Sequence, residues 1–123
     1  MKLDLDKVPS TVEAAVDAVT SALEPEEIDY IRRSDKPSLL HQSIGMYLRN
    51  EWSLWDDDSP LKRDAVEKFG IGHADDISGL ILEWAHARVK RNDDFDPRKH
   101  CQKYIDHWKR LGVNPATGKL EDA

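Results

Sequence analysis

The sequence predicts an all-α fold: a compact bundle of about six helices in one domain over residues 1–123, with its core at about 10–112. Three observations lead there. Apolar residues recur at spacings of three and four in nearly every segment, helix caps and stops separate those segments, and no stretch alternates apolar and polar residues as a half-buried strand does. A chain of 123 residues suits a single domain and can bury a core without disulfides or metals.

Ser10-Thr11-Val12-Glu13 reads as a capping box, in which the serine accepts from a free backbone N–H and the glutamate reaches back. Val12, Ala15, Val16, Val19, Ala22 and Leu23 then mark a helix over about 11–23. Glu24-Pro25 opens a short second helix, because proline suits a first helical position where its missing N–H is no loss. Ile28 and Ile31 form its inner side, and Ser34-Asp35-Lys36-Pro37 breaks the chain. A third helix starts near Ser38, with Leu40, Ile44, Tyr47, Leu48, Glu51, Trp52 and Trp55 on one broad face and Asp56-Asp57-Asp58 at its end. Ser59-Pro60 caps a fourth with Leu61, Ala65, Val66 and Phe69 inward, stopped by Gly70. Gly72-His73-Ala74-Asp75-Asp76 leads into a fifth, with the stripe Ile77, Leu80, Ile81, Trp84, Ala85 and Arg88; its leading acids suit the positive end of the helix dipole. Asp96-Pro97 caps the last, with Tyr104, Ile105, Trp108 and Leu111 inward and Gly112 as stop. Residues 113–123 are expected to be a frayed, flexible tail.

Hydrophobic residues make up 39% and charged residues 34%, a soluble profile with a heavily charged surface. No apolar run approaches the ~20 residues that span a bilayer. MKLDLDKVPS has no apolar signal core, and the single cysteine, Cys101, excludes an internal disulfide. These features predict a cytoplasmic protein with no membrane partner. The net charge of −6 is uneven: residues 1–30 carry eight acids against two lysines, and residues 86–112 carry eight basic side chains against four acids. Such ends attract each other within the fold or in a homodimer, or offer an acidic face to a basic protein partner. Overall charge disfavours nucleic acid.

Polar residues inside the third helix need an explanation. Gly45 costs about 0.5–1 kcal/mol relative to alanine in a helix, and close packing against Gly79 explains it. His41 and Arg49 lie near one helix face, Asn50 follows, and His73, Asp75 and Asp76 open the fifth helix. An Arg49 guanidinium suits a bidentate pairing with Asp75 or Asp76. Asn50 is placed to satisfy backbone at the Trp55–Asp58 turn, and His73 to cap a helix or join His41. One reading is a polar network that fixes the register of two helices. The other is a site, with His41 and His73 as acid/base groups, Asp75 and Asp76 as carboxylates and Arg49 as an anion clamp. The His73-x-Asp75-Asp76 spacing matches no metal motif, and Asp56-Asp57-Asp58 lacks the rest of a calcium loop, so no metal is expected. No phosphate loop or dinucleotide fingerprint occurs, so no cofactor is expected either. Cys101 lies among Lys99, His100 and Lys103, which would lower its pKa, yet no base and orienter accompany it. Trp55, beside Asp56, Asp57 and Asp58, is a candidate partner-binding corner, since tryptophan is common at interfaces.

Two blocks, His41-Gln-Ser-Ile-Gly-Met-Tyr-Leu-Arg-Asn-Glu-Trp-Ser-Leu-Trp55 and His73-Ala-Asp-Asp-Ile-Ser-Gly79, resemble an uncharacterised domain family of bacteria and their viruses. Trp52 stands where that family usually has phenylalanine, and Ala74 where it has proline. The resemblance covers roughly residues 10–110 and implies a bacterial or phage source and no activity. The functional expectation is a non-catalytic protein-binding module, of the immunity or defence-inhibitor kind, acting through an acidic surface. The alternative is a small enzyme or anion-binding domain built on His41, Arg49, His73, Asp75 and Asp76.

Overall fold

The structure, a computed structural model, describes residues 7–33, 48–49, 52, 54, 56 and 58–121. Five helices are described: α1 (Val12–Ala22), α2 (Pro25–Arg33), α3 (Pro60–Phe69), α4 (Ala74–Val89) and α5 (Pro97–Arg110). The architecture is all-α, and among the described residues the only β feature is an isolated bridge between Val113 and Leu120. The helix expected from Ser38 to Trp55, the third of the six predicted, lies mostly outside the described residues; of those described there, Leu48 and Arg49 are helical, whereas Trp52 and Leu54 are already in a turn, with Trp52 N–H on the Leu48 carbonyl and Leu54 N–H on the Arg49 carbonyl. Gly45 also lies outside them, while Gly79 is buried in α4.

Helix α4 is the platform. Ile77, Leu80, Ile81, Leu82 and Ala85 are fully buried, and Ser78, Gly79 and His86 are buried as well. Its burial is wider than the single stripe the periodicity suggests, leaving Asp75 and Arg88 exposed, because α1, α2, α3 and α5 all pack against it. A helix with neighbours on several sides must be apolar or small over most of its surface. Val12, Val16 and Val19 of α1, Leu61 of α3, and Leu48, Trp52 and Leu54 join the same hydrophobic cluster.

The first cap shifts by one residue from the expected box. Thr11 is the N-cap of α1 and accepts from the Ala14 N–H at 3.0 Å. A distant side chain takes another free N–H of that terminus: Val12 N–H donates to Asp64 Oδ2 at 2.8 Å. Asp64 is buried in α3, and Lys68 approaches its other oxygen at 2.9 Å. The buried carboxylate is therefore both hydrogen-bonded and paired, as burial of a charge requires. Ser59 caps α3 and Gly70 ends it in the left-handed conformation at φ +72°.

The last helix differs from expectation on its inner face. Asp96 caps α5 through the Arg98 and Lys99 N–H groups, but Cys101 is its one fully buried residue. Tyr104, Ile105 and Trp108 are half-buried, and Leu111, expected inward, is 58% exposed because the helix has already ended there. Where a frayed tail is expected, the chain forms a hydrogen-bonded loop up to Glu121. Asn114 Oδ1 accepts from the Ala116 and Thr117 N–H groups, Glu121 N–H donates to the Gly112 carbonyl, and Gly72 N–H donates to the Pro115 carbonyl at 2.9 Å. A Cβ at Gly72 would stand 1.9 Å from the Ala116 carbonyl oxygen, so this docking depends on glycine.

Candidate functional site

The polar residues singled out by sequence meet at the first turn of α4, where they divide into two groups. On one side Arg49 reaches across from the preceding helical segment. Its Nε lies 3.1 Å from Asp75 Oδ1, and its Nη1 donates to Ser78 Oγ at 3.1 Å. Ser78 in turn donates to the Asp75 carbonyl at 3.0 Å. The expected fork on one carboxylate is thus a fork over a carboxylate and a hydroxyl. Both lie on one face of α4 because they are three residues apart. Arg49 is largely buried while Asp75 is 60% exposed.

On the other side Asp76 turns towards α5. Trp108 Nε1–H donates to Asp76 Oδ2 at 2.7 Å. Partial burial raises the Asp76 pKa above its ordinary value; the Trp108 hydrogen bond and the nearby His73 and His107 oppose that shift, and Asp75 adds to it. His73 is the N-cap of α4: its Nδ1 accepts from the Asp75 N–H at 3.1 Å. A neutral ring that accepts at Nδ1 carries its proton on Nε2. The 3.8 Å approach of Nδ1 to Asp75 Oδ2 is therefore no ion pair in that tautomer. The His73 ring also stacks on Trp108, with centroids 5.3 Å apart and planes inclined by 27°.

Beside His73 lies a pocket of about 190 Å³, open to solvent on one side and lined by Leu54, Lys62 of α3, the start of α4, Trp108 and the Asn114–Gly118 loop. Arg49, Asp75 and Asp76 are not among its walls. His41, Asn50, Trp55 and Asp57 lie outside the described residues. Asp56 and Asp58 are exposed, and Asp56 Oδ1 accepts from the Asp58 N–H at 2.9 Å in a turn that leads into Ser59.

Reactive chemistry finds few groups. The Cys101 thiol, expected to be acidified, is fully buried and pushed up to about 12 by desolvation, with Asp76 adding to the shift and Lys103 opposing it. The Tyr104 hydroxyl is also pushed up by burial. Among the described residues, no group of three His, Cys, Asp or Glu side chains is placed to hold a metal ion, and no helix is long and apolar enough to cross a membrane.

Sequence reasoning missed Trp108 as the partner of Asp76 and His73, and missed Lys62 and Asn114 beside them. Thirty-two residues separate Asp76 from Trp108, and no local pattern joins them. Ser78 was recoverable, since it stands three residues after Asp75 on the same helix face. Comparison with protein families matches residues 8–89 to the domain of unknown function DUF6794. That span contains α1–α4 with Arg49, His73, Asp75 and Asp76, and ends before α5. No curated protein and no solved structure gives a significant match.

Proposed function

The chain belongs to the domain family DUF6794, and from the geometry of this member we propose that it is a non-catalytic protein-binding module. The observation that carries the reading is the engagement of the polar residues in structural bonds. Arg49 holds Asp75 and Ser78, Asp76 holds Trp108, and His73 caps α4. An acid/base pair would instead meet over open space within reach of a substrate.

The contact surface is the acidic side of α2. Glu26 and Asp29 are exposed, and neither carboxylate has an ion pair among the described residues. Tyr30, next to Asp29 in sequence, is 54% exposed, and Arg32, at the far end of α2, donates to the Val89 carbonyl. An exposed tyrosine with unpaired acids suits a basic protein partner, because aromatic anchors and complementary charge raise affinity and encounter rate. The exposed Asp56 and Asp58 extend the acidic character to a second corner. A cytoplasmic bacterial or phage protein of the immunity or defence-inhibitor kind fits this chemistry, by analogy.

The test is affinity capture from a bacterial host lysate with wild type, Glu26→Lys/Asp29→Lys and Arg49→Ala, each at low and high salt. A partner held by wild type and by Arg49→Ala, and released by charge reversal or salt, supports the reading. A partner or ligand lost with a folded Arg49→Ala, and kept by the charge-reversed protein, places function in the polar cluster. The alternative, a ligand-binding domain, draws support from the cavity beside His73. A homodimer, in which acidic and basic ends meet, predicts a sedimenting mass that falls with dilution and salt.

A further inference from the structure

We propose that the outward row of cations on α5 is a docking surface for an acidic helix of another protein. It is a second surface, separate from the acidic side of α2: both helices pack on α4, and they do not pack on each other. It also lies beyond residues 8–89, the span matched to the family.

Residues 97–119 carry Arg98, Lys99, Lys103, Lys109, Arg110 and Lys119 against the single acid Asp106, in a chain of net charge −6. Lys99, Lys103 and Arg110 follow one another at steps of four and seven residues, which sets them in one line along the helix. All three are exposed, as is Lys109 beside them. Lys103, Asp106, Lys109 and Arg110 line an open depression on this face. The cations are not neutralised within the fold. Asp106 stands three or four residues from Lys103, Lys109 and Arg110, the spacing at which helical ion pairs form, yet none of them pairs with it. Asp106 Oδ1 accepts instead from Gln102 Nε2 at 2.9 Å, and Arg110 Nε donates to the Asp106 carbonyl. Lys103 Nζ lies 5.1 Å from the centroid of the Tyr104 ring, a contact that leaves its charge in place.

Helix stability accounts for only half of the row. Lys109 and Arg110 suit the negative end of the helix dipole, but Arg98 and Lys99 stand in the first turn, at the positive end. Lys99 and Lys103 also repel each other across one turn. An acidic partner relieves both costs. Carboxylates on a helix laid along α5 repeat at the same rise of about 1.5 Å per residue, so acids at steps of four and seven meet Lys99, Lys103 and Arg110 in register. Asp106 fixes that register by rejecting an acid placed opposite it.

Two other anionic partners fit less well. Every exposed residue from Arg98 to Arg110 is polar, so the face has nothing to insert into a lipid surface. A nucleic-acid strand stacks its bases on open aromatic faces. Here the Trp108 ring is met by His73 and His107, and the Tyr104 ring by His100 and Lys103.

The test is fluorescence anisotropy of a labelled, alanine-based helical peptide of about 18 residues, with glutamates at the positions that face Lys99, Lys103 and Arg110, titrated with the full chain. The same peptide with glutamine at those positions, a labelled oligothymidylate and vesicles containing phosphatidylserine are titrated in parallel. The expected result is saturable binding of the glutamate peptide with a Kd on the order of 100 μM at low salt, weakened about tenfold at physiological salt. Lys99→Glu/Lys103→Glu and Arg110→Gln should each weaken it about tenfold or more, and Asp106→Asn should tighten it about threefold. Lys99→Glu brings an acid to the first turn, which favours the helix, so binding lost in that variant is not loss of fold. No saturable binding, equal binding of the glutamine peptide, or wild-type affinity in both weakened variants overturns the proposal. Tighter binding of the oligothymidylate or of the vesicles overturns it in favour of phosphate or lipid. A wild-type mass in sedimentation that exceeds the monomer, and that returns to it in Lys99→Glu/Lys103→Glu, overturns it in favour of a second copy of this chain. Glu26→Lys/Asp29→Lys should leave the peptide affinity unchanged, so this surface stands or falls separately from that of α2.

Discussion

Helices α4 and α5 are neighbours of similar length with opposite surroundings. α4 is buried over most of its circumference, with Asp75 and Arg88 exposed near its ends, whereas α5 buries Cys101 fully and shows most of its charged residues to solvent. The two meet where Asp76 receives the Trp108 indole and His73 stacks on the same ring. The difference teaches that a polar residue on the buried part of α4 must find an internal partner, while one on α5 has water. Ser78 and Asp76 have such partners. Lys103, Lys109 and Arg110 of α5 make no ion pair among the described residues.

The largest test of that contrast is truncation in each helix. Leu80→Ala should cost about 2–5 kcal/mol, the range for a large-to-small change in a closed core. Ile105→Ala, at a half-buried site, should cost about 1 kcal/mol. Equal losses in urea unfolding would mean that α5 is as integral as α4.

Trp108→Phe probes the junction. It keeps a ring against His73 but removes the donor to a partly buried carboxylate, which should cost about 1–3 kcal/mol near neutral pH. The pH dependence has a definite sign. The Asp76 pKa is raised in the folded state from 3.8, so the native protein holds that proton more readily than the unfolded chain. Its contribution is fully present below the unfolded value and is lost as pH rises through the raised folded value. Asp76→Asn should flatten stability across that window. The Trp108→Phe deficit should shrink as pH falls, because a protonated Asp76 needs the indole donor less.

Smaller effects sharpen the picture at the edges of α4. Arg49→Ala should cost about 1 kcal/mol, because its partner Asp75 is mostly exposed and water screens the pair; a loss of several kcal/mol in thermal unfolding would instead mark a pair shut away from solvent. At the other end, Arg91 adopts φ +56° while Asn92 N–H closes back on the Ala87 carbonyl. That is the left-handed position usually given to glycine. Arg91→Gly should therefore stabilise the protein by about 0.5–1 kcal/mol, seen as a raised Tm.

The parts of this fold that repeat locally were legible in the sequence. Pro60 after Ser59, Pro97 after Asp96 and Gly70 after Phe69 mark ends that the structure reproduces, because caps and stops act within one turn. Arg49 against Asp75 was legible too, since a guanidinium beside an acidic helix start has few better partners. Long-range choices were not. Asp64 looks like a surface acid of α3, yet it is buried against the start of α1 because that terminus leaves an N–H without an intrahelical acceptor. The 113–121 loop resembles a tail by composition, and only the docking on Gly72 folds it back. The cavity depends on both α3 and that loop, so neither segment alone announces it.

The central position of α4 also bears on how the chain is made. α1, α2 and α3 all precede the helix on which they pack, and the N–H of Val12 waits for a carboxylate 52 residues later. A ribosome adding about 5–20 residues per second therefore carries these helices for several seconds before their platform emerges. During that interval their apolar faces are open to chaperones or to one another. The protein is expected to condense in one late step when α4 clears the exit tunnel, instead of helix by helix as each is synthesised.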